Sequence, residues 1–132
     1  MAVRQFLWAV PGLWAIVGGG ANSLAAPLRP GDATRGALAY AASCGSCHSL
    51  DTNRIGPAHR GIYGRKAGSA PGYAYSVPVR KSSIVWNGAT LDRWLQDPRA
   101  VIPGTKMAFR LADQQRRADI IAYLRSVGVR NR

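Results

Sequence analysis

The chain has 132 residues and carries 18 Lys and Arg against six acidic residues, all of them Asp, for a formal charge of +12. That length holds one domain at most, and one with a small core of its own. The positive field suits acidic partners. Nucleic acid is set aside because the arginines are scattered singly and no groove-reading helix or zinc-finger spacing is present.

Residues 1–25 read as a cleaved secretory signal peptide. Arg4 supplies the basic start, Phe6 to Val17 the apolar stretch, and Ser23-Leu24-Ala25 the small residues of a cleavage site after Ala25. An uncleaved anchor is the competing reading, but Pro11, Gly12 and Gly18-Gly19-Gly20 shorten the apolar run. Either way residues 26–132 fold outside the cytoplasm, in a periplasm, where two cysteines would otherwise tend to form a disulfide.

After the Pro/Gly linker from Leu28 to Gly31, Asp32 is placed to cap a first helix over Ala33 to Ser43. From Ser49 to Trp86, Gly and Pro recur without a sustained helical or strand period, which predicts ordered loop wrapped around something other than protein. Thr90 is expected to cap a short helix from Leu91 to Gln96, stopped by Asp97-Pro98, with another loop from Pro103-Gly104. Asp113 caps a last helix whose Ile120, Tyr123, Leu124 and Val127 fall on one face before Gly128 ends it. The expected class is all-α, with three to five helices and long loops. Loops of this length fit a compact domain when a cofactor supplies the core.

Cys44-Gly45-Ser46-Cys47-His48 carries the chemistry. Two thiols three positions apart, on a turn leaving a helix, can add to the two vinyl groups of one haem, and the adjacent imidazole is then held beneath the iron. A thioredoxin-like dithiol would need a βαβ pattern, and a zinc site would need further cysteines. Met107, in Pro103-Gly104-Thr105-Lys106-Met107, is the candidate second axial ligand, since a soft neutral sulfur favours reduced iron. The alternative, His59, lies eleven residues beyond His48 and should fall on the same side of the ring.

In order along the chain stand Gly31-Asp32 with Gly36 and Tyr40, the Cys44–His48 motif, Gly56-Pro57, Gly61 to Lys66, Ala70 to Tyr75, Trp86, Thr90-Leu91, Asp97-Pro98, Ile102 to Met107 with Phe109, and Arg117 to Leu124. In these stretches, from Gly31 to Val127, the sequence resembles the class I soluble c-type cytochromes, in the group of mitochondrial cytochrome c and bacterial cytochrome c2. The resemblance implies the single-domain cytochrome c fold around one covalent haem c, with iron ligated by His48 and Met107. It further implies that the Pro57 carbonyl accepts from His48, that Arg65, Tyr75 and Trp86 donate to a buried haem propionate, and that Thr105 bonds near Met107 or the second propionate. Gly36 would allow the first and last helices to cross closely, with Tyr40, Ile120 and Tyr123 filling around it.

The implied function is a diffusible single-electron carrier rather than an enzyme. A monomer is expected, meeting acidic redox proteins through a basic face near the haem edge and the membrane only indirectly. A dedicated electron-transfer subunit of a periplasmic dehydrogenase or oxidase is the alternative. A peroxidase-like enzyme would need a loose Met107 and a distal acid or base that the chain lacks. Four departures from the family stand out. His59 replaces an apolar Leu on the proximal haem face, where it either packs edge-on or reaches solvent. Trp94 replaces a Tyr, and Val79 replaces a polar residue near the propionate. The lysine ring is reduced to Lys106, with Lys66, Lys81 and arginines such as Arg54, Arg60, Arg99 and Arg110 as substitutes.

Overall fold

The computed structural model describes residues 26–128. The signal-peptide reading therefore lies outside the described residues. Five helices follow one another: α1 (Ala33–Ser43), α2 (Val77–Lys81), α3 (Gly88–Gln96), α4 (Pro98–Val101) and α5 (Gln114–Ser126). Among the described residues the one β feature is an isolated antiparallel bridge between Lys66 and Val85. No helix among them is long and apolar enough to cross a membrane.

The caps explain where the helices begin. Asp32 accepts from the Arg35 amide at 2.7 Å and Asp113 from the Arg116 amide at 2.9 Å, as the sequence led us to expect. The start of α3 differs from expectation. Asn87 is its N-cap and Thr90 sits three residues inside, the two side chains closing a reciprocal capping box. Asp97 ends α3 and also begins α4, its carboxylate accepting from the amides of Arg99 and Ala100. The Asp97-Pro98 pair thus redirects the chain into another helical turn, since Pro is pre-set for the first position of a helix. The predicted loop from Ser49 to Trp86 is interrupted by α2, whose five residues bury Val79.

The first and last helices form the frame. At their crossing Gly36 lies against α5: a Cβ built there would overlap the Asp119 carbonyl oxygen and come within 2.8 Å of the Tyr123 Cβ. Asp119, the buried carboxylate beside it, takes hydrogen bonds from the Asp32 amide at 2.9 Å and from Arg35 Nε and a terminal guanidinium nitrogen at 3.0 and 2.8 Å. These donors hold its carboxyl down at about 2, with the Arg35 hydrogen bond the largest cause. Around the crossing Tyr40, Ile120, Leu124, Leu91, Leu95 and Leu111 close one hydrophobic core.

A second polar tie fixes the loop that follows α4. The Arg117 side chain, 3% exposed, donates through Nε to Asp92 of α3 at 2.7 Å and through one terminal nitrogen to the Leu111 and Ala112 carbonyls at 2.8 Å each. The Leu111 amide in turn donates to the Leu95 carbonyl at 2.8 Å. The stretch carrying Met107 is therefore anchored to two helices.

Candidate functional site

The helices and loops enclose a cavity of about 390 Å³. Every residue singled out in the sequence as a site residue lines it: Cys44, Cys47, His48, Pro57, Arg65, Tyr75, Trp86, Thr105 and Met107. These come from the end of α1, the long loop, the bridge strand segment and the loop after α4. The cavity is the point on which those segments converge.

Cys44 is the C-cap of α1, buried, and Cys47 follows one turn later, half-buried; the two are not joined in a disulfide. Their local geometry comes from the helix end, where the Cys47 and His48 amides both donate to the Cys44 carbonyl, at 3.1 and 2.8 Å. Burial pushes the Cys44 thiol up to about 11.

His48 Nδ1 lies 2.9 Å from the Pro57 carbonyl oxygen. A carbonyl only accepts, so Nδ1 carries the hydrogen and Nε2 keeps its lone pair. Burial also lowers the imidazole pKa, against the opposing pull of that hydrogen bond. A Cβ at Gly56 would overlap the imidazole ring, so the backbone passes the ring closely on that side. Together these groups offer a neutral, oriented nitrogen donor.

Of the two expectations for His59, the structure rules out the swing to solvent, for the side chain is turned into the protein. Its ring stacks on that of His48, with centroids 4.0 Å apart and planes at 21°, and its Nδ1 meets the Tyr40 hydroxyl at 3.1 Å. Burial, with lesser contributions from His48 and Arg65, holds it down at about 3.

In the loop after α4, Thr105 Oγ1 accepts from the Met107 amide at 3.3 Å, which ties the methionine's backbone to its own turn. Trp94 also lines the cavity and lies 5.1 Å from Trp86 between ring centroids. Arg65 donates to the Ala58 and Arg60 carbonyls at 3.3 Å each, and the Tyr75 hydroxyl accepts from the Ala70 amide at 3.2 Å. Val79, buried on α2, adds an apolar wall, as the valine at this position led us to expect.

The sequence reading missed Ser76. It is the N-cap residue of α2, yet its hydroxyl makes no capping hydrogen bond. Instead Ser76 lines the cavity, and its Oγ is buried with no partner in the protein. A buried hydroxyl is normally paired, so this one calls for a polar group inside the cavity. A serine before Val-Pro reads from sequence as an ordinary cap, and no signal marked it otherwise.

The donor set fits a haem. An apolar-walled space holds two thiols, a lone-pair imidazole and a thioether, and its lining also includes an unpaired buried hydroxyl, a guanidinium and a phenol. A metal-only site fits less well, because among the described residues no three His, Cys or Asp gather to hold an ion. The rim carries the exposed apolar side chains of Ile55 and Phe109 beside Lys106. Among the other candidate rim cations, Arg60 is paired with Asp51 and Arg110 with Asp97.

Comparison with known proteins agrees with this geometry. The family model described as cytochrome c matches residues 33–128. The chain is 43% identical over 100 residues to cytochrome c of Euglena viridis, covering 74% of this chain and 98% of that protein. It is 40% identical over 114 residues to cytochrome c2 of Rhodomicrobium vannielii, covering 83% and 90% respectively. Among solved structures, cytochrome cH from Methylobacterium extorquens superposes with a TM-score of 0.69 at 45% identity, over 73% of this chain and 99% of that one.

Proposed function

The chain belongs to the cytochrome c family, and from that premise we propose that it is a periplasmic single-electron carrier with one haem c joined to Cys44 and Cys47 and ligated by His48 and Met107. Membership alone makes it a haem-containing electron carrier. The finer assignment rests on one observation: both thiols, the imidazole with its free Nε2 and the only thioether of the described residues line a single cavity.

The haem, when bound, supplies the one-electron couple. The chain's own residues set its surroundings. Pro57 fixes the tautomer of His48 and makes the imidazole a stronger donor. Arg117 and Thr105 hold the loop and turn from which Met107 would reach the iron. Ser76, Arg65, Tyr75 and Trp86 would partner a propionate taken out of water. If His48 and Met107 both hold the iron, no site would be left there for a substrate, which favours a carrier over an enzyme. Lys106 and the apolar rim would meet an acidic redox protein in a brief contact. The residues at the amino end, Arg4 through Ala25, support export.

The test is the optical spectrum of the protein matured in a periplasm with haem-attachment machinery, wild type against Met107→Ala, in both redox states. A weak near-infrared sulfur-to-iron band in the oxidised wild type, lost in the variant, with haem retained after acid-acetone extraction, is the expected result. Absence of the band from wild type, or ready carbon monoxide binding to the reduced form, would refute the His48/Met107 assignment.

A further inference from the structure

The function just described uses His48 but makes no use of the ring stacked upon it, that of His59. The hydrogen bond from His48 to the Pro57 carbonyl fixes one point of the imidazole, and the ring can still rock about that point. A face contact restrains the plane itself. The ring of His59 lies 4.0 Å from that of His48 at 21°, with the Gly56 backbone also close against the His48 ring.

His59 is itself held at several points. Its amide donates to the Ser49 carbonyl at 3.0 Å, and the next amide, of Arg60, donates to the Leu50 carbonyl at 2.8 Å. Its Nδ1 meets the Tyr40 hydroxyl at 3.1 Å. Tyr40 is buried in α1 and packs at 5.4 Å against Tyr123 of α5. A line of contacts thus runs from the α1–α5 crossing through Tyr40 and His59 to the face of His48.

We propose that His59 is a positioning residue, which sets the plane of the His48 imidazole by face-to-face stacking and is anchored for that purpose by the Tyr40 hydroxyl. An aliphatic side chain at 59 would fill the same volume with no preference for a ring plane. The plane of an axial imidazole governs how its orbitals meet those of the iron, so its setting is read in the magnetic anisotropy of the oxidised iron and in the redox equilibrium. The inference rests on ligation of the iron by His48.

The experiment uses the haem-loaded, oxidised protein and compares the proton NMR shifts of the haem methyl groups, together with the redox equilibrium against a standard couple. The variants are His59→Leu, His59→Phe and Tyr40→Phe. His59→Leu should change the order or spread of the methyl shifts and move the redox equilibrium by about threefold or more, which is about 28 mV at 59 mV per tenfold for one electron. His59→Phe, which restores a ring face, should return the methyl pattern towards wild type, and Tyr40→Phe should fall between.

A wild-type methyl pattern and equilibrium in His59→Leu would overturn the proposal even if that variant melted earlier, as would a His59→Phe pattern displaced as far as that of His59→Leu. If His59→Leu fails to accumulate with haem, the other two decide: an unmoved Tyr40→Phe together with a displaced His59→Phe overturns it. A wild type without a low-spin oxidised spectrum would overturn both this inference and the ligation beneath it, whereas a low-spin wild type with an unmoved His59→Leu removes this inference alone.

Discussion

Replacing Gly36 by Ala tests the frame on which the site is built. In an isolated helix the change would help, by about 1 kcal/mol of helix propensity. In the folded protein the new methyl would overlap the Asp119 carbonyl oxygen and lie 2.7 Å from its carbon and 2.8 Å from the Tyr123 Cβ. Two of those atoms are backbone, so no side-chain rotation relieves the clash and α5 must move away from α1. That movement loosens the packing of Ile120 and Leu124 and lengthens the 2.9 Å hydrogen bond from the Asp32 amide to Asp119. Overpacking costs roughly 1–3 kcal/mol and a weakened hydrogen bond about 1 kcal/mol more. After the propensity gain is subtracted, the expected loss is about 2 kcal/mol, or on the order of 10 °C in Tm for a domain of this size.

Urea and thermal unfolding of the oxidised protein, followed by helical circular dichroism, measure that loss. Leu38→Ala on the same helix is the control, because Leu38 is 74% exposed and its truncation should change stability by no more than about 0.5 kcal/mol. A Gly36→Ala protein as stable as wild type, or more so, would refute the claim of backbone contact at the crossing.

Arg117→Met should destabilise by about 3 kcal/mol, since it leaves two carbonyls and Asp92 without their donor. It should also admit carbon monoxide to the reduced protein faster than wild type, measured by stopped flow, because the loop bearing Met107 loses its tie. Ser76→Ala gives a test of sign: removing a hydroxyl that truly lacked a partner would leave stability unchanged or raise it. Loss of about 1 kcal/mol in the haem-loaded protein, seen in urea unfolding, is expected if the cofactor supplies the partner. Asp119, held down at about 2 against an ordinary 3.8, adds stability that is complete above about pH 4 and is lost as pH falls towards 2. Asp119→Asn should therefore lower stability at pH 6 by about 1–2 kcal/mol and by much less at pH 2, as measured by chemical unfolding at both pH values.

Much of the site was legible from one dimension. Cysteine spacing and the histidine beside the second thiol are local, and they restrict chemistry wherever the chain goes. The caps at Asp32 and Asp113 and the apolar face of the last helix are local too, being set by periods and hydrogen bonds within a few residues. Thr90 was mistaken for a cap because Asn87 and Thr90 both carry capping side chains three residues apart, and their reciprocal bonding chooses between them. Asp97-Pro98 read as a stop because proline forbids the preceding residue from continuing a helix, while the same proline is favoured at the start of α4.

The partnerships between distant segments come from the three-dimensional packing. His59 joined His48 because the loop from Ser49 to Arg60 folds back on itself, and its hydroxyl partner comes from α1. Ser76 turned from its helix towards the cavity. Arg117 left the solvent because carbonyls five and six residues back and a carboxylate on α3 together replace its water. Which groups could hold a haem was readable in one dimension, since that depends on residue type and local spacing. Which neighbours orient those groups depends on how loops with no periodic signal close around a common centre, and that is settled by packing in three dimensions.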